Sequence, residues 1–171
     1  SSSQLRVLST TALNALSETQ VGALTSAQVG DLTTTQISGF NQVDLLTATQ
    51  FAGLSTTQIK AISSPLSDTQ ILNLTSAQIN VLSTTQIASL NEAVMGGFTA
   101  TQIKGLTTTQ IGALVDTQVD ALTTSSLAAL SGAQIAALST SALNILETDQ
   151  IQALTATQVA ALTTTQIASL E

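Results

Sequence analysis

Residues 155–170 read TATQVAAL followed without a linker by TTTQIASL, and the octad they share, Ser/Thr–x–Thr/Ala/Ser–Gln–Ile/Val–x–small–Leu, recurs along the whole chain. Numbered from its hydroxyl residue, the octad fills 1–40, 47–62 and 67–170, twenty full units, and only 41–46 (NQVDLL) and 63–66 (SSPL) fall out of phase. A fixed internal period marks an array in which each unit buries its apolar face only against its neighbours. We therefore read residues 1–171 as a single repeat array with irregular insertions at 41–46 and 63–66.

Positions 5 and 8 are apolar in every full unit, as in Ile37 with Phe40, Ile111 with Leu114 and Val159 with Leu162. A spacing of three places two side chains on opposite faces of a strand but on one face of a helix. Position 1 is Ser or Thr in seventeen units, the exceptions being Asn91, Val115 and Glu147, and position 4 is Gln in sixteen. A hydroxyl followed three residues later by Gln is a capping box, in which each side chain satisfies a backbone amide of the first helical turn. Charge placement points the same way. Glu18, Asp68, Glu92, Asp116, Glu147 and Asp149 stand at positions 1 to 3, whereas Arg6, Lys60 and Lys104 stand at position 6, the order that a helix dipole favours.

One continuous helix is excluded by geometry. At about 100° per residue the apolar pair drifts roughly 80° per octad and would spiral over the whole surface. Each octad is instead a short helix ended by a turn at the Leu–Ser/Thr junction. Isolated helices below about 12 residues are marginal in water, so stacking must supply the stability. Position 7, mostly Ala or Gly (Ala23, Gly39, Gly53, Ala113, Ala137, Ala161), lets neighbouring helices approach closely. The expected fold is all-α: a solenoid of very short helices, one per octad, around an Ile/Val/Leu core, in a screw that treats every unit alike. The alternative is a β-solenoid, favoured by the Thr, Ile and Val content and by a Gln column able to stack as an amide ladder.

Four units lack the glutamine, carrying Ala12, Val94, Ser126 and Ala142, and position 5 changes with it to Leu13, Met95, Leu127 and Leu143; the paired change predicts that positions 4 and 5 pack together. Segments 41–46 and 63–66, the latter holding the only proline, Pro65, are expected sites of a kink or a change in superhelical path, and Gly96–Gly97 a soft spot in its helix.

Composition narrows the function. Charged residues are 8% of the chain and aromatics 2%, against roughly 25% charged in ordinary soluble domains, so the surface is made of hydroxyl, amide and small side chains. A net charge of −7 with three scattered basic residues argues against a nucleic-acid partner, which needs clustered Lys and Arg. No apolar run is long enough to span a membrane, and no basic-then-apolar leader opens the chain, which reads as a mature product or an excised piece. With no His and no Cys, imidazole catalysis, thiol nucleophiles and most transition-metal sites are unavailable. The closest carboxylate pairs, Asp116 with Asp120 and Glu147 with Asp149, read as solvated helix-start acids rather than a hydrolytic dyad. Asn73-Leu74-Thr75 matches the N-glycosylation tripeptide by coincidence, in a chain so rich in Asn and Thr. We expect no catalytic residue, no cofactor, no metal site and no enzyme.

The TTTQI and TATQV units resemble the TTQ-type octapeptide repeats of very large secreted or surface-attached bacterial proteins, often labelled adhesin-like or haem-utilisation-like. That resemblance covers the whole chain and implies an extracellular, bacterial, structural or adhesive setting. For the haem label the inventory offers only Met95 as an axial ligand. The function expected is an extracellular structural repeat protein: a rod, stalk or filament subunit of a bacterial surface or matrix, associating with itself or with further repeats end to end, because neither end carries a polar capping unit. The alternative is a Thr-rich surface that binds ice or polysaccharide.

Overall fold

The structure is a computed structural model that describes residues 2–170. Twenty α-helices of four to six residues, one for each full octad, and a single 3-10 helix make up its regular secondary structure, and no strand occurs among the described residues. The fold is an all-α solenoid of very short helices. The β-solenoid alternative is not realised.

Two compact units divide the chain, Ser1–Leu82 and Ser83–Glu171, and the same rule builds both. In the second unit the helix Asp116–Asp120 packs between Glu92–Gly97 and Thr140–Asn144, and Thr140–Asn144 packs in turn on Thr164–Ser169. Helix starts on this side fall at 92, 116, 140 and 164, so a turn closes every 24 residues. Three octads make one turn of the screw.

Each side starts and stops for local reasons. The residue at position 1 is extended, as at Thr163 with φ −71° and ψ 157°, and its hydroxyl accepts the amide of Gln166. Acids lie in the first turn of the helices that carry them (Glu18, Asp68, Glu92, Asp116, Asp149), and Arg6, Lys60 and Lys104 lie in the last turn of theirs. Position 5 points into the stack: Val29, Ile59, Ile103, Val119 and Ile135 are fully buried, and the position-8 residues Leu32, Leu106 and Leu130 close the corners beside them.

Close stacking explains several small residues. A Cβ on Gly53 would lie 2.6 Å from the Ser26 carbonyl oxygen, and one on Gly30 would lie 2.7 Å from that of Gly53. No glycine has a positive φ, so proximity rather than backbone freedom selects glycine at these two places. Gly96 and Gly97 are both inside the helix Glu92–Gly97. A Cβ on Gly96 would sit 3.0 Å from the Ala121 carbonyl oxygen, which makes it a packing residue rather than a soft spot.

The two segments read as insertions are instead shortened sides of the screw. Residues 41–46 hold the 3-10 helix Val43–Leu45, which packs on Glu18–Gly22 one turn back; Val43 and Leu46 are buried as positions 5 and 8 are elsewhere. Ala48–Ala52 then packs on Ser26–Gly30, 22 residues earlier instead of 24. Residues 63–66, without helix and with Pro65 exposed, form a four-residue side, and Asp68–Leu72 packs on Ala48–Ala52 only 20 residues back. The inward-facing pattern continues after both.

Candidate functional site

The most elaborate constellation in the molecule is the glutamine column at position 4. Gln158 shows what one member does. Its backbone amide donates to Thr155 Oγ1 at 3.3 Å, and its Oε1 accepts from the Thr155 amide at 2.8 Å and the Thr155 hydroxyl at 3.1 Å. Its Nε2 then reaches across to the preceding turn and donates to the carbonyl oxygens of Leu127 and Leu130, both at 2.7 Å. Every polar atom of a side chain that is 2% exposed is therefore satisfied.

The same carboxamide thus caps its own helix and ties off the last carbonyls of another. Those carbonyls belong to the octad four places back, at positions 5 and 8, where a helix end leaves acceptors without an intrahelical partner. Gln166 repeats the contact on Ile135 and Leu138 at 3.1 and 2.8 Å, and Gln36 makes it on Leu5 and Leu8 at 2.8 and 2.9 Å. Gln50, Gln58, Gln70, Gln78, Gln118, Gln134 and Gln150 also bridge to the turn before. In Gln20, Gln28 and Gln86 only the capping arm is engaged.

The exceptions follow the same geometry. Ser126 replaces glutamine with a shorter arm, its Oγ accepting from Thr123 at 3.0 Å and donating to the Phe98 carbonyl at 3.2 Å. Val94 and Ala142 are buried at the same position and bring no donor. Val115 has no hydroxyl to accept the Gln118 amide, yet Gln118 Oε1 still accepts the Val115 amide at 3.0 Å. In the six-residue side Gln42 donates from Nε2 to the carbonyls of Asn14 and Leu16 at 2.9 and 3.2 Å, while its buried Oε1 has no partner. Shortening removed the cap residue that would have donated to it.

Sequence reasoning found the capping arm of these glutamines but missed the bridging arm and the burial that goes with it. A readable signal was present in 41–46, where Gln42, Val43 and Leu46 keep the spacing of positions 4, 5 and 8.

Chemical groups outside the column stay apart. Asp116 and Asp120 stand at opposite ends of one five-residue helix. Asp116 Oδ1 accepts instead from the hydroxyls of Ser141 at 3.0 Å and Ser139 at 3.4 Å, on the exposed surface. Glu147 precedes its helix, and Asp149 Oδ1 accepts the Gln150 amide at 3.0 Å. No three acidic side chains converge among the described residues, and no helix is long and apolar enough to cross a membrane. Met95 lies fully buried in the core. Asn73 donates from Nδ2 to the Thr69 carbonyl at 2.8 Å. One side of the first unit carries threonine pairs on three successive turns, at 10–11, 34–35 and 56–57, with Thr11, Thr35 and Thr57 exposed.

Comparison with known proteins adds a family likeness. The model of the ALTTAQ repeat matches residues 1–38 and 119–156, the first of which contains ALTSAQ at 23–28. No curated protein and no solved structure matches significantly. In those two regions, then, the chain is similar to the ALTTAQ repeat, a likeness of sequence pattern that comes with no activity attached.

Proposed function

We propose that the chain is an extracellular structural repeat protein, a rod, stalk or filament subunit of a bacterial surface or matrix, that serves through length and rigidity rather than through a reaction. The observation that carries this reading is the use of the octad. Hydroxyl, carboxamide, apolar pair and small residue are each consumed in capping, bridging, filling the core or permitting close approach. A bridge repeated at each turn stiffens a stack along its axis, because bending it opens several buried hydrogen bonds together. The extracellular setting rests on the resemblance of the octads to surface-protein repeats.

Electron micrographs of the purified chain test the mechanical part: elongated particles of uniform width are expected, and compact ones would sink it. Antibodies against the chain test the location, with labelling of intact cells expected and labelling only after permeabilisation the contrary result.

A second reading is motivated by the threonine pairs at 10–11, 34–35 and 56–57, a row of exposed hydroxyls and methyls able to meet a polysaccharide or ice. Thermal hysteresis or glycan-array binding that disappears in a Thr11→Lys/Thr35→Lys/Thr57→Lys variant would favour it over a purely mechanical role.

A further inference from the structure

The last described turn ends in a cleft of about 220 Å³ lined by Leu143, Asn144, Leu146, Ile151 and Leu170. Sixteen residues earlier, two octads back, these positions are Leu127, Ala128, Leu130, Ile135 and Leu154, and two of those, Leu127 and Leu130, supply the carbonyls that Gln158 bridges. Leu143 and Leu146 occupy the corresponding places in the cleft. By its position in the screw the cleft is a glutamine socket, and no glutamine among the described residues donates to it.

The surface around the socket is the apolar interior of the stack carried to an open face. Ile151, Val159 and Ile167, all at position 5, are 39%, 49% and 55% exposed, whereas Ile103, Ile111 and Val119 at the same position are at most 1% exposed. The complementary half lies in the first unit. Gln20 and Gln28 hold their caps through Oε1, and no described carbonyl accepts from either Nε2. These two glutamines are one octad apart, the spacing at which Gln158 and Gln166 take successive carbonyl pairs.

We propose that the Ile151–Val159–Ile167 face is a docking surface for a second copy of this chain, which adds head to tail by continuing the screw. The occupant is argued from complementarity: donors on the first unit of one copy match acceptors and exposed apolar residues on the second unit of the other, in the geometry that already joins turn to turn within each. Gln4 of the incoming copy enters the cleft at Leu143 and Leu146, Gln20 donates to the carbonyls of Val159 and Leu162, and Gln28 to those of Ile167 and Leu170. Ala12, which stands where a glutamine would face Ile151 and Leu154, leaves one corner without a bridge. Such a contact is heterologous, so it generates a linear series rather than a closed dimer. This deepens the structural reading above by naming the partner, and it rests on that reading.

Sedimentation velocity of the 171-residue chain over a wide concentration range tests it, together with two variants. Val159→Glu/Ile167→Glu blocks the tail. Gln20→Glu/Gln28→Glu blocks the head, because glutamate keeps the oxygen that accepts the cap amide and loses the bridging donor. Wild type should form a concentration-dependent ladder of species, and each variant alone should associate at least about tenfold more weakly. Mixed in equal amounts, the variants should give heterodimers and nothing longer, since each retains the half that the other lacks. Should the tail double variant lose its helical circular dichroism, Ile167→Ser replaces it.

A wild-type chain that stays monomeric overturns the proposal and assigns the face to a further octad of the same chain or to a different protein. Undiminished association of the tail variant overturns it as well, and a mixture without heterodimers points to tail-to-tail pairing. Elongated monomers in the micrographs that never associate would remove this interface and leave the mechanical role standing; compact particles would remove the role itself.

Discussion

At the scale of the residue, glutamine does what neither a hydroxyl nor a carboxylate can do at the same place. Its oxygen serves as the acceptor of a capping box and its nitrogen as a donor to two carbonyls, and both ends are buried. Gln158→Glu separates the two roles. The carboxylate still accepts the Thr155 amide but faces the Leu127 and Leu130 carbonyls without a proton to give, which at neutral pH should cost about 3 kcal/mol or more. Burial and the facing carbonyls disfavour the ionised form and raise its pKa above that in the unfolded chain. The folded variant then binds its proton more tightly than the unfolded one, so its stability is greatest in acid and is lost as the pH rises through and above the ordinary carboxylate range. Thermal melts of the variant and wild type at several pH values check this, and a pH-independent difference would count against the bridging arm. Glycine provides a second contrast. Gly53→Ala drives a Cβ into the Ser26 carbonyl and should destabilise by roughly 1–3 kcal/mol. Gly22→Ala, with nothing within 4 Å of the added carbon, should stabilise by about 0.5–1 kcal/mol, and urea titration of both resolves the signs.

At the scale of the element, the caps were legible in the sequence because their partners are three residues apart, and the helix assignment followed from them. The bridging arm was not, since it crosses 28 to 31 residues and ends on backbone carbonyls that have no side-chain identity. Nor was the nature of 41–46 and 63–66. Counted against a fixed octad they look like additions, yet in the screw they are sides that lost two and four residues, and Val43 and Leu46 reveal it only once their burial is seen. Equivalence of the sides gives a direct test. Excising the whole octad 131–138 should leave a chain that folds, because Gln158 then meets the carbonyls of Val119 and Leu122 in place of Leu127 and Leu130. Excising only 133–135, which removes Gln134 and Ile135 from the middle of a side, should not be absorbed. Helical ellipticity per residue unchanged in the first deletion and reduced in the second is the expected result.

At the scale of the whole molecule, stability in each unit is the sum of small helices that cannot stand alone and of the interfaces between successive turns. Protection should therefore be graded along the second unit rather than uniform. Hydrogen exchange is expected to be slowest between 103 and 138, where position 5 is fully buried, and fastest over 147–170, where Ile151, Val159 and Ile167 are exposed; equal protection throughout would argue for a single all-or-none core. Three octads to the turn was not readable in advance, because the octads carry no alternation of period three that would betray it. Identical units stack as readily by two as by three until the reach of the glutamine arm selects the octad four places back.

The shortened sides have a consequence for inheritance. A screw that accepts sides of eight, six or four residues and treats its octads as interchangeable folds after a coding sequence has gained or lost copies of its repeat. Misalignment of a tandem gene during replication, ruinous for a fold with one unique core, changes only the number of stacked sides here. Differences in copy number between lineages are the variation this architecture absorbs most easily, and reach becomes a trait that a single slippage event can adjust.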